Sequence, residues 1–295
     1  MKEQKFNYSF IIPHKNCPGL LQRCVDSIPE RDDVQVIVVD DNSDEGKKPS
    51  LKERKNLQVI LLDKTQSKGA GRARNVGLKH ATGKWLLFAD ADDYFSVNLP
   101  DLLEKYKTDS STDIVYLNAS KFDENGAFSC LFESQLIDAY FDNKKNAERR
   151  LRYGAWTPWF RMVKRTIVIQ NHIRFDEIPA ANDKMFGLLC SKFSKTIKAE
   201  KKFIYYYYRP SFNSQTDNKR NSLMFDEMLD LRCRTIALYE EVYFRPVPSV
   251  LGLFRSFGII KNNGYKKWFS RYSKTLRKHH IPIYRDLIRF FQECF

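Results

Sequence analysis

No Cys-x-x-Cys pair occurs among the six cysteines (Cys17, Cys24, Cys130, Cys190, Cys233 and Cys294), which are scattered over 295 residues. That spacing excludes the common zinc and redox motifs, and reduced, mostly buried thiols are expected. No run of about 18 apolar residues exists, so no spanning helix is expected. The nearest candidate, Val247 to Ile260, carries Arg255 in its middle. The opening Met1-Lys-Glu-Gln-Lys-Phe-Asn lacks the apolar stretch of a signal peptide, so a cytoplasmic location is expected. Twelve glycines and 11 prolines are too few for a collagen-like or low-complexity chain. No internal repeat of solenoid period is found. RNA-recognition, KH, helix-turn-helix and zinc-finger signatures are missing, so no nucleic-acid partner is expected.

The chain does have 42% hydrophobic residues, enough for a sizeable core, and a net charge of +14, which asks for an anionic partner. Tyr8–Ile12, Val34–Val39, Leu57–Leu62 and Lys84–Ala89 read as strands, separated by helical patterns at Pro18–Ile28 and Ala70–Ala81. Continuous β-branched runs alternating with helices predict a mostly parallel α/β sheet covered on both faces. The middle of the chain mixes short strands (Asp113–Tyr116, Phe203–Tyr208) with helices (Asn143–Arg152, Asn182–Cys190), and Ser222–Tyr243 is a long helical pattern. A boundary is placed near Asn218, giving a domain over 1–218 and a helical extension over 219–295.

Polar clusters stand at the strand ends: Pro13-His-Lys-Asn16, Asp40-Asp-Asn-Ser43 and Asp90-Ala-Asp-Asp93. In open α/β sheets ligands bind beyond the carboxyl ends of strands, so these clusters should converge. Three carboxylates within four residues repel one another, and an oxygen-only group suits a hard cation that also bridges phosphates. An acidic helix-capping loop is the plainer alternative. A carboxylate of Asp40-Asp-Asn-Ser43 suits a ribose or base N–H, or the cluster is a simple turn. Ser67-Lys-Gly-Ala-Gly-Arg-Ala-Arg74 is a basic, Gly-rich loop entering a helix, where free amides and arginines can hold a diphosphate. It matches neither the Walker A loop nor the dinucleotide fingerprint, because Gly77 falls at the wrong spacing after Gly69 and Gly71. Asp183 is a candidate general base, or a charge favoured by a helix N-terminus.

Taken in order, Phe10–Asn16, Val36–Asp44, Gly71–Leu78, Ala81–Asp93, Asn182–Phe186 and Tyr206–Arg209 resemble the inverting family 2 glycosyltransferases of GT-A fold, over about residues 8–215. The resemblance implies a Rossmann-like GT-A sheet, a nucleotide-sugar donor (most often UDP-linked) and a divalent cation, Mn²⁺ or Mg²⁺. By the same resemblance, Asp92 and Asp90 hold the metal, with Asp90 also reaching the ribose and Asp93 as a helper. Asp41 contacts the uracil, Pro13 and Lys15 line the nucleotide loop, and Lys68 and Arg74 line the base and phosphates. Asp183 is the base, for transfer of a hexosyl or N-acetylhexosaminyl group to a glycan or lipid-linked saccharide in surface-polysaccharide synthesis. Lys15 stands where the family usually has an aromatic residue, and Asn182 replaces a Glu. A nucleotidyltransferase acting on sugar phosphates and a non-catalytic, basic membrane- or glycan-binding protein are the competing functions.

From Arg245 to Phe295, eleven Lys/Arg oppose only Asp286 and Glu293, so this stretch carries +9 of the +14. Its interleaved aromatics suit an anionic membrane surface, such as the inner face of the plasma membrane, or a helical subdomain packed on its own core.

Overall fold

The computed structural model describes residues 5–123, 125, 128–208, 222–242, 244, 247–251 and 265–294, side chains at 222–225, 265–268 and 293–294 excepted. The chain divides into two compact units, Met1–Phe212 and Asn213–Phe295. The expected boundary at Asn218 lies outside the described residues, as do Arg209, Arg245, Arg255 and Lys261.

The first unit is built on one sheet. Its opening elements are β1 (Phe6–His14), α1 (Pro18–Asp26), β2 (Val34–Asp40), β3 (Leu57–Leu61), α2 (Ala70–His80) and β4 (Gly83–Phe88). β1 pairs in parallel with β2 and β4, and β2 in parallel with β3, so this half is the parallel sheet that the apolar runs predict. Every residue of β2 is buried, as a strand covered on both faces requires, whereas the edge strand β3 leaves Val59 and Leu61 exposed. α1 begins on Pro18, whose missing N–H costs nothing in a first turn.

The second half mixes directions. After β5 (Tyr94–Phe95) and α3 (Leu99–Tyr106) come β6 (Ile114–Phe122), β7 (Phe128–Cys130), α4 (Phe132–Phe141) and α5 (Ala147–Gly154). A 3-10 turn at Pro158–Phe160 leads into β8 (Arg161–Lys164), α6 (Arg165–Gln170), α7 (Lys184–Phe193) and β9 (Ile197–Tyr208). The order across the sheet is β3-β2-β1-β4-β8-β6-β9-β5, with β7 beside β6. β8 runs antiparallel to both β4 and β6, while β6 and β9 are parallel. The helix expected from Asn143 starts only at Ala147, because Asn143 and Asn146 take left-handed backbone angles that asparagine tolerates and a helix does not. The core centres on Tyr8, Phe10, Trp85, Phe88, Tyr106, Tyr116, Phe160, Phe186 and Tyr205, all fully buried. Cys24, Cys190 and Cys233 are buried, Cys17 is half-buried and Cys130 exposed, and all five are free thiols.

In the second unit the described helices are α8 (Ser222–Glu241), α9 (Tyr265–Lys278) and α10 (Ile283–Cys294). Among the described residues no helix is long and apolar enough to cross a membrane.

Candidate active site

Because β1, β2 and β4 are parallel neighbours, their carboxyl ends share one edge of the sheet, with His14 opposite Asp40 in register. His14 Nδ1 lies 2.7 Å from Asp40 Oδ1, and its Nε2 accepts the Cys17 amide at 3.2 Å. An accepting Nε2 puts the ring proton on Nδ1, pointed at Asp40. Asp40 also accepts the Ser43 amide at 3.0 Å, so this buried cluster ties the loop after β1 to the loop after β2.

Asp41, one residue on, is almost fully buried and faces the Gly-rich loop. Its two carboxylate oxygens accept the amides of Lys68 (3.1 Å) and Gly69 (3.0 Å). Two of the amides expected to stay free for a diphosphate are thus spent on tying the loop to β2. Lys15 donates to the Asp41 carbonyl at 3.0 Å with its ammonium 3.5 Å from the carboxylate, which brings Lys15, Asp41 and Lys68 together. Gly69 turns the chain at φ +84° to start α2. A Cβ at Gly71 would lie 2.0 Å from the Asp176 carbonyl oxygen, so only glycine lets this helix start press against the 176–182 segment.

Arg74, inward on α2, spans the site. One guanidinium nitrogen donates to Asn182 Oδ1 at 2.8 Å and the other to Asp90 Oδ1 at 2.5 Å, with the Phe175 ring 5.4 Å away. The residue before Asp183 is therefore coupled to the first carboxylate of the acidic turn. Asp183 itself caps the N-terminus of α7 without bonding it through its side chain. Burial holds its carboxyl above the ordinary carboxylate range, opposed by the Arg74 charge.

The three acidic side chains of the turn part company. Asp90 is about one-third exposed and paired with Arg74. Asp93 is fully buried, with Oδ2 accepting the Tyr205 hydroxyl at 2.6 Å and Oδ1 the Tyr208 amide at 2.7 Å. The Tyr205 oxygen in turn accepts the Asp90 amide at 2.9 Å, so one hydroxyl braces both ends of the turn. Asp93 stays well above the usual carboxylate range, chiefly through burial and then through Asp90 and Asp92. Burial, reinforced by the Asp90 charge, pushes Asp92 up to about 6. Asp92 is the carboxylate with the least local compensation.

Among the described residues no three His, Cys, Asp or Glu side chains form a metal cage. Two carboxylates, one with a charge its surroundings disfavour, still fit a hard cation that completes its shell with diphosphate oxygens and water. Asp92 and Asp90 are the residues that would hold it.

Two positioning residues escaped the sequence reading. Arg23 of α1 donates to the Asp92 carbonyl at 2.6 Å, and its guanidinium lies 5.0–5.5 Å from the rings of Tyr94, Phe122 and Tyr208. Nothing in the local pattern marks it. For Tyr205 the usable signal is strand alternation, since Tyr205 and Tyr207 both stack on Trp159, whereas Tyr206 and Tyr208 contact Tyr94 and Phe122 respectively.

An α/β sheet whose strand ends gather carboxylates against a basic helix start has the architecture of the GT-A fold. Residues 9–195 match the family described as Glycosyl transferase family 2. This chain belongs to that family. The Bacillus subtilis (strain 168) protein EpsH is 23% identical over 214 residues, 68% of this chain and 60% of EpsH. The poly(ribitol-phosphate) beta-glucosyltransferase of Bacillus spizizenii is 26% identical over 207 residues, 68% of this chain but only 32% of that protein. The chain thus matches about a third to three-fifths of the length of these relatives. The crystal structure of Staphylococcus aureus TarS 1–349 in complex with UDP-GlcNAc superposes with a TM-score of 0.64 at 20% identity, covering 93% of this chain and 80% of that one. The mannosyltransferase PcManGT from Pyrobaculum calidifontis, in complex with GDP-Man and Mn²⁺, gives 0.51 at 16% identity, covering 92% and 74%.

Proposed function

We propose that this chain is a metal-dependent, inverting glycosyltransferase that moves a hexosyl or N-acetylhexosaminyl group from a UDP-sugar to a hydroxyl of a glycan or lipid-linked saccharide, in the synthesis of a cell-surface polymer. The observation that carries it is the Arg74 bridge, which links the acidic turn at Asp90 to Asn182 and so to the buried, raised-pKa carboxyl of Asp183. Family membership, and relatives whose names include a poly(ribitol-phosphate) beta-glucosyltransferase, favour glycosyl transfer over the nucleotidyltransferase and scaffold alternatives. TarS bound to UDP-GlcNAc supports UDP as the nucleotide.

Displacement at the anomeric carbon needs an acceptor oxygen losing its proton on one face and a diphosphate leaving from the other. Asp183 takes that proton; a carboxyl raised by burial is a better base than one in water. Arg74, Lys68 and Lys15 bring positive charge toward the leaving group, and Asp41 orients the uracil while pinning the loop that carries Lys68. Asp92 and Asp90 would hold a divalent cation, which would supply further charge stabilisation to the diphosphate. A single base opposite a single leaving-group site gives one displacement and inverted configuration.

The test is Asp183→Asn assayed with a panel of nucleotide sugars and Mn²⁺. Donor binding, read by thermal shift, should persist while transfer and donor turnover fall about 10²-fold or more. Comparable turnover in the variant would remove Asp183 from the base role. Failure of every nucleotide sugar to stabilise the wild type with Mn²⁺ would remove the donor assignment.

A further inference from the structure

In the second unit, α10 is mounted with Asp286 and Arg289 inward and an apolar stripe outward. Asp286 is fully buried and accepts the amides of Val250 (2.6 Å) and Leu251 (3.0 Å) and the hydroxyl of Tyr272 (2.8 Å). Arg289, 9% exposed, pairs with Glu240 of α8. On the other side Tyr284, Leu287, Ile288 and Phe291 are 61, 40, 54 and 59% exposed. Their spacing of i, i+3, i+4 and i+7 makes one continuous stripe along the helix.

A surface helix ordinarily turns its apolar stripe to the core and its charges to water. Rotating α10 to that arrangement would strip two amides and a hydroxyl of their acceptor, so the buried Asp286 carboxylate holds the stripe outward. Exposed stripes of this kind mark interaction surfaces.

Charge selects the occupant. Arg285 is exposed beside the stripe, and Lys274 and Arg277 are exposed on α9; none of the three has an acidic partner among the described residues. Four acids described in this unit are already engaged: Asp230 by Lys278, His279 and Arg234, Asp226 by Arg271, Glu240 by Arg289, and Asp286 by its buried bonds, while Glu227 is exposed on α8. We infer that α10 seats this chain on an anionic lipid bilayer, lying in the plane of the interface with Leu287, Ile288 and Phe291 among the acyl chains and Arg285 at the headgroups. A second copy docking stripe to stripe would bring the same uncompensated cations together, which disfavours self-association. Bilayer seating goes beyond glycosyl transfer and does not depend on it.

The experiment is flotation of the full chain with vesicles of phosphatidylcholine alone or with about one-third phosphatidylglycerol, at low and high salt. Wild type should float with the anionic vesicles, release in high salt, and ignore the neutral ones. The double variant Ile288→Glu/Phe291→Glu, both sites exposed, should keep the wild-type melting temperature and lose tenfold or more in vesicle affinity. Phe291→Trp should show a blue-shifted emission on anionic vesicles. Equal binding to both vesicle types, or equal binding by the double variant, would overturn the inference. So would a stable wild-type dimer in sedimentation equilibrium that the double variant abolishes, since the stripe would then be a contact between copies.

Discussion

Asp92→Asn removes one charge from the acidic turn and changes little else in shape. Asp92 stands at about 6 against an ordinary 3.8, because burial and the Asp90 charge disfavour its ionised form. The folded state therefore binds the proton more tightly than the unfolded chain, and stability falls as pH rises from about 4 to about 6. Above that window the penalty is complete. A shift of about two units corresponds to about 3 kcal/mol, and partial exposure to solvent reduces this to about 1.5 kcal/mol. The variant should thus melt about 3–6 °C above wild type at pH 7, with the gap closing toward pH 4. Mn²⁺ relieves the same penalty in the wild type, so the metal should raise the wild-type melting temperature and leave the variant nearly unmoved. Differential scanning fluorimetry across pH, with and without Mn²⁺, reads all of this. A variant no more stable at pH 7, or one that responds to Mn²⁺ like the wild type, would refute the uncompensated charge and with it the metal role of Asp92.

Arg74→Ala should weaken UDP binding by calorimetry about tenfold or more, since it removes a buried cation and leaves Asp90 and Asn182 without their shared donor. Tyr205→Phe deletes the hydroxyl between the Asp90 amide and Asp93, and should cost about 1–3 kcal/mol in urea denaturation while raising the Mn²⁺ concentration needed for half-maximal activity. Gly71→Ala drives a methyl against the Asp176 backbone oxygen, so a loss of about 1–3 kcal/mol is expected, and wild-type stability would show that the segment yields. Asp183→Asn, in contrast, should leave the urea midpoint unchanged or raised, because burial disfavours the charge it removes.

Features that depend on near neighbours could be read from residue order alone. The four strands of the parallel half follow from continuous apolar runs, α1 from Pro18, and the gathering of Pro13, Asp41 and Asp90 at one edge from the parallel crossovers that such runs impose. Charge could be located as well, with +9 of +14 in the last 51 residues. Composition and period do not encode which of several identical side chains turns inward. Asp90, Asp92 and Asp93 look alike in sequence, and their different fates are set by Arg74 from α2, Tyr205 from β9 and Arg23 from α1, 16, 112 and 69 residues away. The direction of β8 and the mounting of α10 have the same origin. A period identifies an apolar face, but only the tertiary partners, here the Val250 and Leu251 amides and Tyr272 claiming Asp286, decide whether that face meets the core or the solvent.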